Sequence, residues 1–130
     1  MTNIWTNGCF DIVHIGHLRL FNYAKSLGTK LIVGIDCDSR IKTNKNPNRP
    51  INNQEHRIEF LKHIKEIDDV VLFCDDDDLK NQIKSHKVDI IVVGDDYKNK
   101  QVIGSELVKQ VIFFPKISNF SSTNIYESIR

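Results

Sequence analysis

The chain has 130 residues, with 18 lysines and arginines against 17 aspartates and glutamates and a net charge of +1. That length fits one compact domain whose core needs no metal or disulfide to hold it, and the near-neutral balance supplies no field that would gather nucleic acid or an acidic membrane. No apolar run approaches the ~20 residues that span a bilayer, the N-terminus reads as a strand and not as a secretion signal, and the three cysteines (Cys9, Cys37 and Cys74) are odd in number and widely spaced, which argues against a disulfide framework or zinc site and for a reducing cytoplasm.

Short β-branched runs alternate with amphipathic segments of helix length. Residues 4–6 predict a first strand. Residues 18–27 predict a helix in which Leu18, Phe21 and Tyr23 or Ala24 recur at helical spacing, with Gly28 as its stop. Residues 31–35 predict a second strand, followed by Asp36, Asp38 and Arg40 and then a polar loop from Lys42 to Pro50. A second helix starts near Asn52, which has capping-box spacing with Glu55, and carries the stripe Ile58, Leu61 and Ile64. After a third strand over 70–73, Asp75 to Asp78 read as a solvated loop whose later members cap and charge-stabilise a helix over 79–85, with a metal cluster as the alternative. A fourth strand over 90–93, a short helix over 104–109, a fifth strand over 111–114 and a last helix starting near Ser122 complete the chain.

The strand runs lack polar alternation, as expected of strands covered on both faces. Strand and helix repeating along one chain predict an α/β fold: a single Rossmann-like domain over residues 1–130, its parallel sheet covered by helices on both faces. In such sheets ligands bind beyond the carboxyl ends of the strands, so chemistry is sought just after each apolar run.

Just after the first strand come Gly8-Cys9-Phe10-Asp11 and then His14-Ile15-Gly16-His17. Two imidazoles three residues apart, where a strand turns into a helix, can donate hydrogen bonds to phosphate oxygens beside free helix N–H groups. Charge on a phosphoryl group in flight needs such fixed donors more than it needs a protein nucleophile. Gly16 lets backbone or nucleotide approach closely. A metal pair or two ordinary loop histidines remain the alternatives, although a helical metal pair more usually has a spacing of four and a nearby carboxylate.

This segment resembles the signature of the cytidylyltransferase-like nucleotidyltransferases and their HxGH motif. The form Thr6-Asn7-Gly8-Cys9-Phe10-Asp11 is most similar to heptose 1-phosphate adenylyltransferase domains; glycerol-3-phosphate cytidylyltransferases more typically carry Gly-Thr-Phe-Asp there. The resemblance implies that His14 and His17 contact the triphosphate and stabilise the transition state. It implies nucleotide contacts from Gly8, Cys9, Phe10, Asp11 and Gly16.

The later strand ends extend the resemblance. Lys42, Lys45 and Arg49 make the loop after the second strand basic, and it reads equally as a solvated loop or as a cover that closes over a triphosphate. Arg49-Pro50 matches the Arg-Pro pair of the heptose adenylyltransferases; Lys42 is the expected phosphate contact, with Lys45 its competitor. In Glu55-His56-Arg57 the arginine matches one that reaches the phosphate site in the family, with His56 a bystander. Gly94-Asp95-Asp96-Tyr97 matches the loop that borders the nucleotide and acceptor pockets, so Gly94 and Asp95 are expected at the nucleotide. Asp36, Asp38 and Tyr97 are expected at the acceptor. Ser121-Ser122-Thr123 precedes the last helix where the family carries Ser-Thr-Thr against the β- and γ-phosphates, and Lys116 stands where cytidylyltransferases usually carry arginine.

The resemblance implies transfer of a nucleotidyl group from ATP or CTP, with Mg²⁺, onto a phosphorylated sugar or alcohol, in a homodimer. His14, His17, Lys42 and Arg57 form the expected catalytic set; metal ligands are not assigned. Glycerol-3-phosphate cytidylyl transfer is the alternative reaction, and a non-catalytic nucleotide-binding module is the alternative of another class.

Overall fold

The computed structural model describes residues 1–44, 48–95 and 100–115. In chain order the described elements are β1 (Asn3–Gly8), α1 (Ile15–Ser26), β2 (Lys30–Asp36), α2 (Asp38–Asn44), α3 (Gln54–Lys62), β3 (Asp69–Phe73), α4 (Asp76–Ser85), β4 (Ile90–Gly94), a 3₁₀ turn (Ser105–Leu107) and β5 (Gln110–Phe114). The five strands pair in the order β3-β2-β1-β4-β5, all parallel. All five expected strands are present, each longer by one to three residues.

Side-chain alternation along the strands divides the core into two layers. Ile4, Leu31, Val33, Ile35 and Val92 pack under Phe21 and Ala24 of α1 and Leu61 of α3. Their neighbours Trp5, Ile32, Ile91 and Val93 face the other way, against Leu79 and Ile83 of α4. Each strand therefore buries both faces, which is why its sequence shows no polar alternation. Gly34 in β2 leaves room for the Trp5 indole, since a Cβ there would lie 2.8 Å from Cη2 of that ring.

The strand order reverses direction at β1. The first two connections run outward to β2 and β3, and the next returns to place β4 on the other side of β1. This is the switch point at which doubly wound sheets bind ligands, and the loop after β1 carries both histidines.

Several details differ from what the sequence predicts, among them a 3₁₀ turn over Ser105–Leu107 in place of a short helix over 104–109. Helix α1 begins at Ile15 instead of residue 18, because His14 caps it. Helix α2 occupies residues expected to be irregular; among its residues of described burial it buries Ile41 alone, it has no apolar stripe to announce it, and Lys42 lies in its last turn instead of in a loop. The cap of α3 is Asn53, which accepts from the His56 N–H over 2.9 Å, and not Asn52. Finally, Cys37 and Cys74 are disulfide-bonded. They are distant in sequence, but β2 and β3 are parallel neighbours that end side by side, so the residues following them meet.

The carboxylates expected before a helix at residue 79 lie mostly inside it, since α4 begins at Asp76 and the first of the run is its cap. Asp75 caps the helix by accepting from the Asp78 N–H, and Asp76, Asp77 and Asp78 fill its first turn. The expected helix near Ser122 lies outside the described residues.

Candidate active site

At the carboxyl end of β1 the backbone turns sharply. Phe10 adopts a left-handed conformation (φ 49°), and its ring folds back beneath the site to meet the His17 imidazole edge-on at 5.2 Å. Gly8 permits this, since a Cβ there would sit 3.3 Å from the Phe10 ring.

The two histidines build the start of α1 between them. The Nδ1 of His14 accepts from the Gly16 N–H over 3.1 Å, and the Nδ1 of His17 accepts from the His14 N–H over 3.2 Å. This is a capping box in which imidazoles replace the usual hydroxyl and carboxylate. The rings stack with centroids 4.0 Å apart.

The arrangement settles the chemistry of both rings. An Nδ1 that accepts from a backbone amide carries no proton, so in each neutral imidazole the proton sits on Nε2. Burial, and then the neighbouring His14, push the His17 pKa down to about 4. His17 is therefore a neutral Nε2–H donor at physiological pH. The first turn of α1 holds no acidic residue, so no side-chain charge there opposes the positive end of the helix dipole.

Arg57 lies 1 % exposed beneath the loops. Its Nε donates to the Asn52 carbonyl over 3.0 Å. One terminal nitrogen donates to the Cys9 and Asp36 carbonyls over 2.9 and 2.7 Å, and the other to the Asp38 carboxylate over 2.7 Å. One guanidinium thus ties together the chain after β1, the chain after β2 and the chain before α3. Asp11 does similar work from the other side. It is 6 % exposed, and its carboxylate accepts from the Ile51 and Asn52 N–H groups over 2.7 Å each, while Asn52 Nδ2 donates back to its carbonyl.

The expected acceptor carboxylates are also engaged within the protein. Asp36 accepts from Arg40 Nε over 2.7 Å and from the Cys9 thiol over 3.5 Å, and Asp38 holds Arg57. Arg40 reaches on to Asp76 over 2.9 Å. Among the described residues, no group of three or more His, Cys, Asp and Glu side chains is placed to hold a metal ion.

The structure therefore gathers Gly8, Cys9, Phe10, His14, Gly16 and His17 at the switch point. Gly94 ends β4 beside them, followed by Asp95. Lys42 is exposed on α2, after the neighbouring strand. Asp11 and Arg57, expected at the nucleotide, and Asp36 and Asp38, expected at the acceptor, bond instead to the protein. Lys45, Asp96, Tyr97, Lys116, Ser121, Ser122 and Thr123 lie outside the described residues. Two contributors have weak signals in the sequence: Asn52 meets Asp11 over a separation of 41 residues and Arg40 meets Asp76 over 36, although the Arg40–Asp36 pair has the local spacing of four.

A cavity of about 630 Å³ opens beside this loop, between residues 10–13 and α3, lined by Ile12, Val13, His56, Phe60, His63 and Ile64 among others. His14 and His17 are not among its lining residues, so it adjoins the imidazole pair without containing it. None of the described helices is long and apolar enough to cross a membrane.

The sequence and fold both have known counterparts. The chain is 46 % identical over 127 residues to a bifunctional protein HldE of Helicobacter hepaticus, and 43 % identical over 129 residues to that of Campylobacter fetus. These matches cover 98 % and 99 % of this chain, which spans only 26 % and 28 % of those relatives. A lipopolysaccharide core biosynthesis protein from Thermoplasma volcanium shares the fold with a TM-score of 0.75 at 27 % identity, covering 91 % of this chain and 99 % of that one. A bifunctional NMN adenylyltransferase/ADP-ribose pyrophosphatase from Francisella tularensis shares the fold alone, at 22 % identity and a TM-score of 0.69, with 98 % of this chain and 41 % of that one covered. The family model described as cytidylyltransferase-like matches residues 5–128. With an imidazole pair at the switch point of a five-stranded parallel sheet, this chain belongs to the cytidylyltransferase-like family of nucleotidyltransferases.

Proposed function

We propose that the chain transfers an adenylyl group from ATP to a heptose 1-phosphate of the D-glycero-D-manno type, releasing pyrophosphate. The observation that carries the reaction class is the stacked His14 and His17 pair, each ring held through its Nδ1 at the N-terminus of α1, at the switch point of the sheet. The extended identity with bifunctional HldE proteins supports the choice of substrate.

An acceptor phosphate oxygen attacks the α-phosphorus in line, the bond to the β-phosphate oxygen breaks, and pyrophosphate leaves. The protein supplies no nucleophile. An ionised phosphate needs no strong base, so the protein's work is positioning and charge stabilisation. His14 and His17 donate to the oxygens on which charge grows. Neutral donors that carry no counter-charge into the ground state suit this role, and the depressed pKa of His17 keeps it in that form. Lys42, with Lys45 as its competitor, neutralises the triphosphate from the side of β2, and Ser121, Ser122 and Thr123 cradle its far end. Mg²⁺ enters with the triphosphate as part of the substrate, in keeping with carboxylates at Asp11, Asp36 and Asp38 that are already bonded to the protein. The enzyme works in the cytoplasm, where its triphosphate is available. It works as a homodimer, with 57 %-exposed Phe60 on the rim of the apolar cavity as the first place for a second copy.

The family description also favours a second reading, cytidylyl transfer to glycerol 3-phosphate or a related phosphoalcohol. One experiment separates them: the four nucleoside triphosphates against heptose 1-phosphate, glycerol 3-phosphate and other phosphorylated acceptors, scored by pyrophosphate release. Turnover is expected with ATP and heptose 1-phosphate. Turnover confined to CTP and glycerol 3-phosphate moves the assignment to the second reading, and silence across the whole matrix leaves only a nucleotide-binding module.

A further inference from the structure

We propose that Cys37 and Cys74 form a reversible thiol–disulfide site that restrains α2 and through it the lysine at the nucleotide. Three observations carry this. First, the pair is held together by the sheet and not only by its own bond. Asp36 and Phe73 are register partners, the Cys37 N–H donates to the Phe73 carbonyl over 3.0 Å, and the two Cα atoms are 5.2 Å apart. Second, Arg40 bridges Asp36 and Asp76 across the same two loops, so the corner stays closed when the sulfurs part. Third, Cys74 is exposed whereas Cys37 is 2 % exposed. One sulfur is open to a solution thiol, and the other is placed to resolve the mixed disulfide.

The location gives the bond its consequence. Cys37 sits between Asp36 and Asp38, which hold Arg40, the Cys9 thiol and Arg57, and it immediately precedes α2, whose last turn carries Lys42. In a reducing compartment a disulfide of this kind is transient. Closure begins when the Cys74 thiolate attacks a small-molecule disulfide and releases one thiol. Cys37 then attacks the Cys74 sulfur, releasing the second thiol and forming the protein disulfide. Two electrons and two protons pass from the cysteine pair to the small molecule, and a dithiol reverses the exchange.

The kinetic consequence rests on the nucleotidyl-transfer reading; the site itself does not. The test equilibrates the full chain with glutathione disulfide or with reduced dithiothreitol, then counts alkylatable thiols after denaturation and follows amide exchange over residues 39–44. One thiol is expected in the oxidised form and three in the reduced form, with exchange slower when oxidised. The KM for the triphosphate is expected to be several-fold higher when oxidised, because a tethered α2 limits how Lys42 follows its ligand. Cys74→Ser is expected to show two thiols under both conditions, with the exchange and KM of the reduced form. Three alkylatable thiols after oxidation, or identical exchange and KM in the two forms, overturns the proposal. If neither form releases pyrophosphate, the functional reading fails separately, and thiol count and exchange alone decide the site.

Discussion

The Arg57 guanidinium donates to the Asp38 carboxylate over 2.7 Å from a position that is almost wholly buried. It also closes on three backbone carbonyls. A buried charge so fully bonded holds the architecture of the site, and a phosphate would have to compete with the protein for it. Arg57→Ala leaves Asp38 and those carbonyls without their donor, and is expected to cost about 3–5 kcal/mol of stability. Arg57→Lys keeps the charge but loses the fork and is expected to recover only part of this. Urea unfolding of both variants checks it; unchanged stability with a raised triphosphate KM would show a direct ligand instead.

His14 has two duties that mutation can separate. Asparagine can accept from the Gly16 N–H as the imidazole Nδ1 does, but it has no donor at the position of Nε2. His14→Asn is therefore expected to keep the melting temperature within a degree or two and lower kcat by about 10²–10³. His14→Ala should lose both activity and about 1 kcal/mol of helix capping. Thermal melts beside steady-state rates distinguish the two outcomes.

His17→Ala removes the acceptor of the His14 N–H, so it is expected to cost about 1 kcal/mol of helix capping while the fold persists, and to lower kcat by two or more orders of magnitude, the scale of losing one fixed donor at a developing charge. Circular dichroism with single-turnover rates provides the check. An unchanged kcat would remove the imidazole pair from the mechanism.

The depressed pKa of His17 sets a pH dependence. Its folded value of about 4 lies below the ordinary 6.5. Between these values the unfolded chain binds the proton and the folded chain does not, so the stabilising contribution is complete above 6.5 and is lost as pH falls toward 4. Unfolding free energies at pH 7, 5.5 and 4.5 should decline in that order, and His17→Gln should flatten part of the decline. Over pH 6–8 the state of His17 does not change, so a kcat step near 6.5 that vanishes in His17→Gln would contradict the assignment.

Gly34→Ala places a methyl group against the buried Trp5 indole, which also donates from Nε1 to Asn7 over 2.9 Å. The ring is fully buried, and the expected cost is about 1–3 kcal/mol of overpacking. A blunted or shifted Trp5 fluorescence transition in denaturant would register it.

The sequence by itself determined the five strands, their parallel pairing class and the histidine pair after the first of them. Those features rest on local signals: β-branched runs without polar alternation, helix-length segments between them, and a motif whose chemistry depends on residues three apart. The tertiary structure alone decided what the charged residues around the motif do. Asp11, Asp36 and Asp38 read as site residues because they follow strands, and Arg57 because it matches a family arginine, yet each is bonded within the protein: Asp11 to the chain before α3, Asp36 to Arg40 and Cys9, and Asp38 to Arg57. Cys37 and Cys74 looked unrelated because their separation of 37 residues in sequence conceals the meeting of two adjacent strand ends. Helix α2 carries no apolar stripe to betray it. Pairing of this kind depends on which strands become neighbours, and strand order is a property of the folded sheet that no local spacing encodes. The histidines were legible because their geometry is built within a single turn of helix.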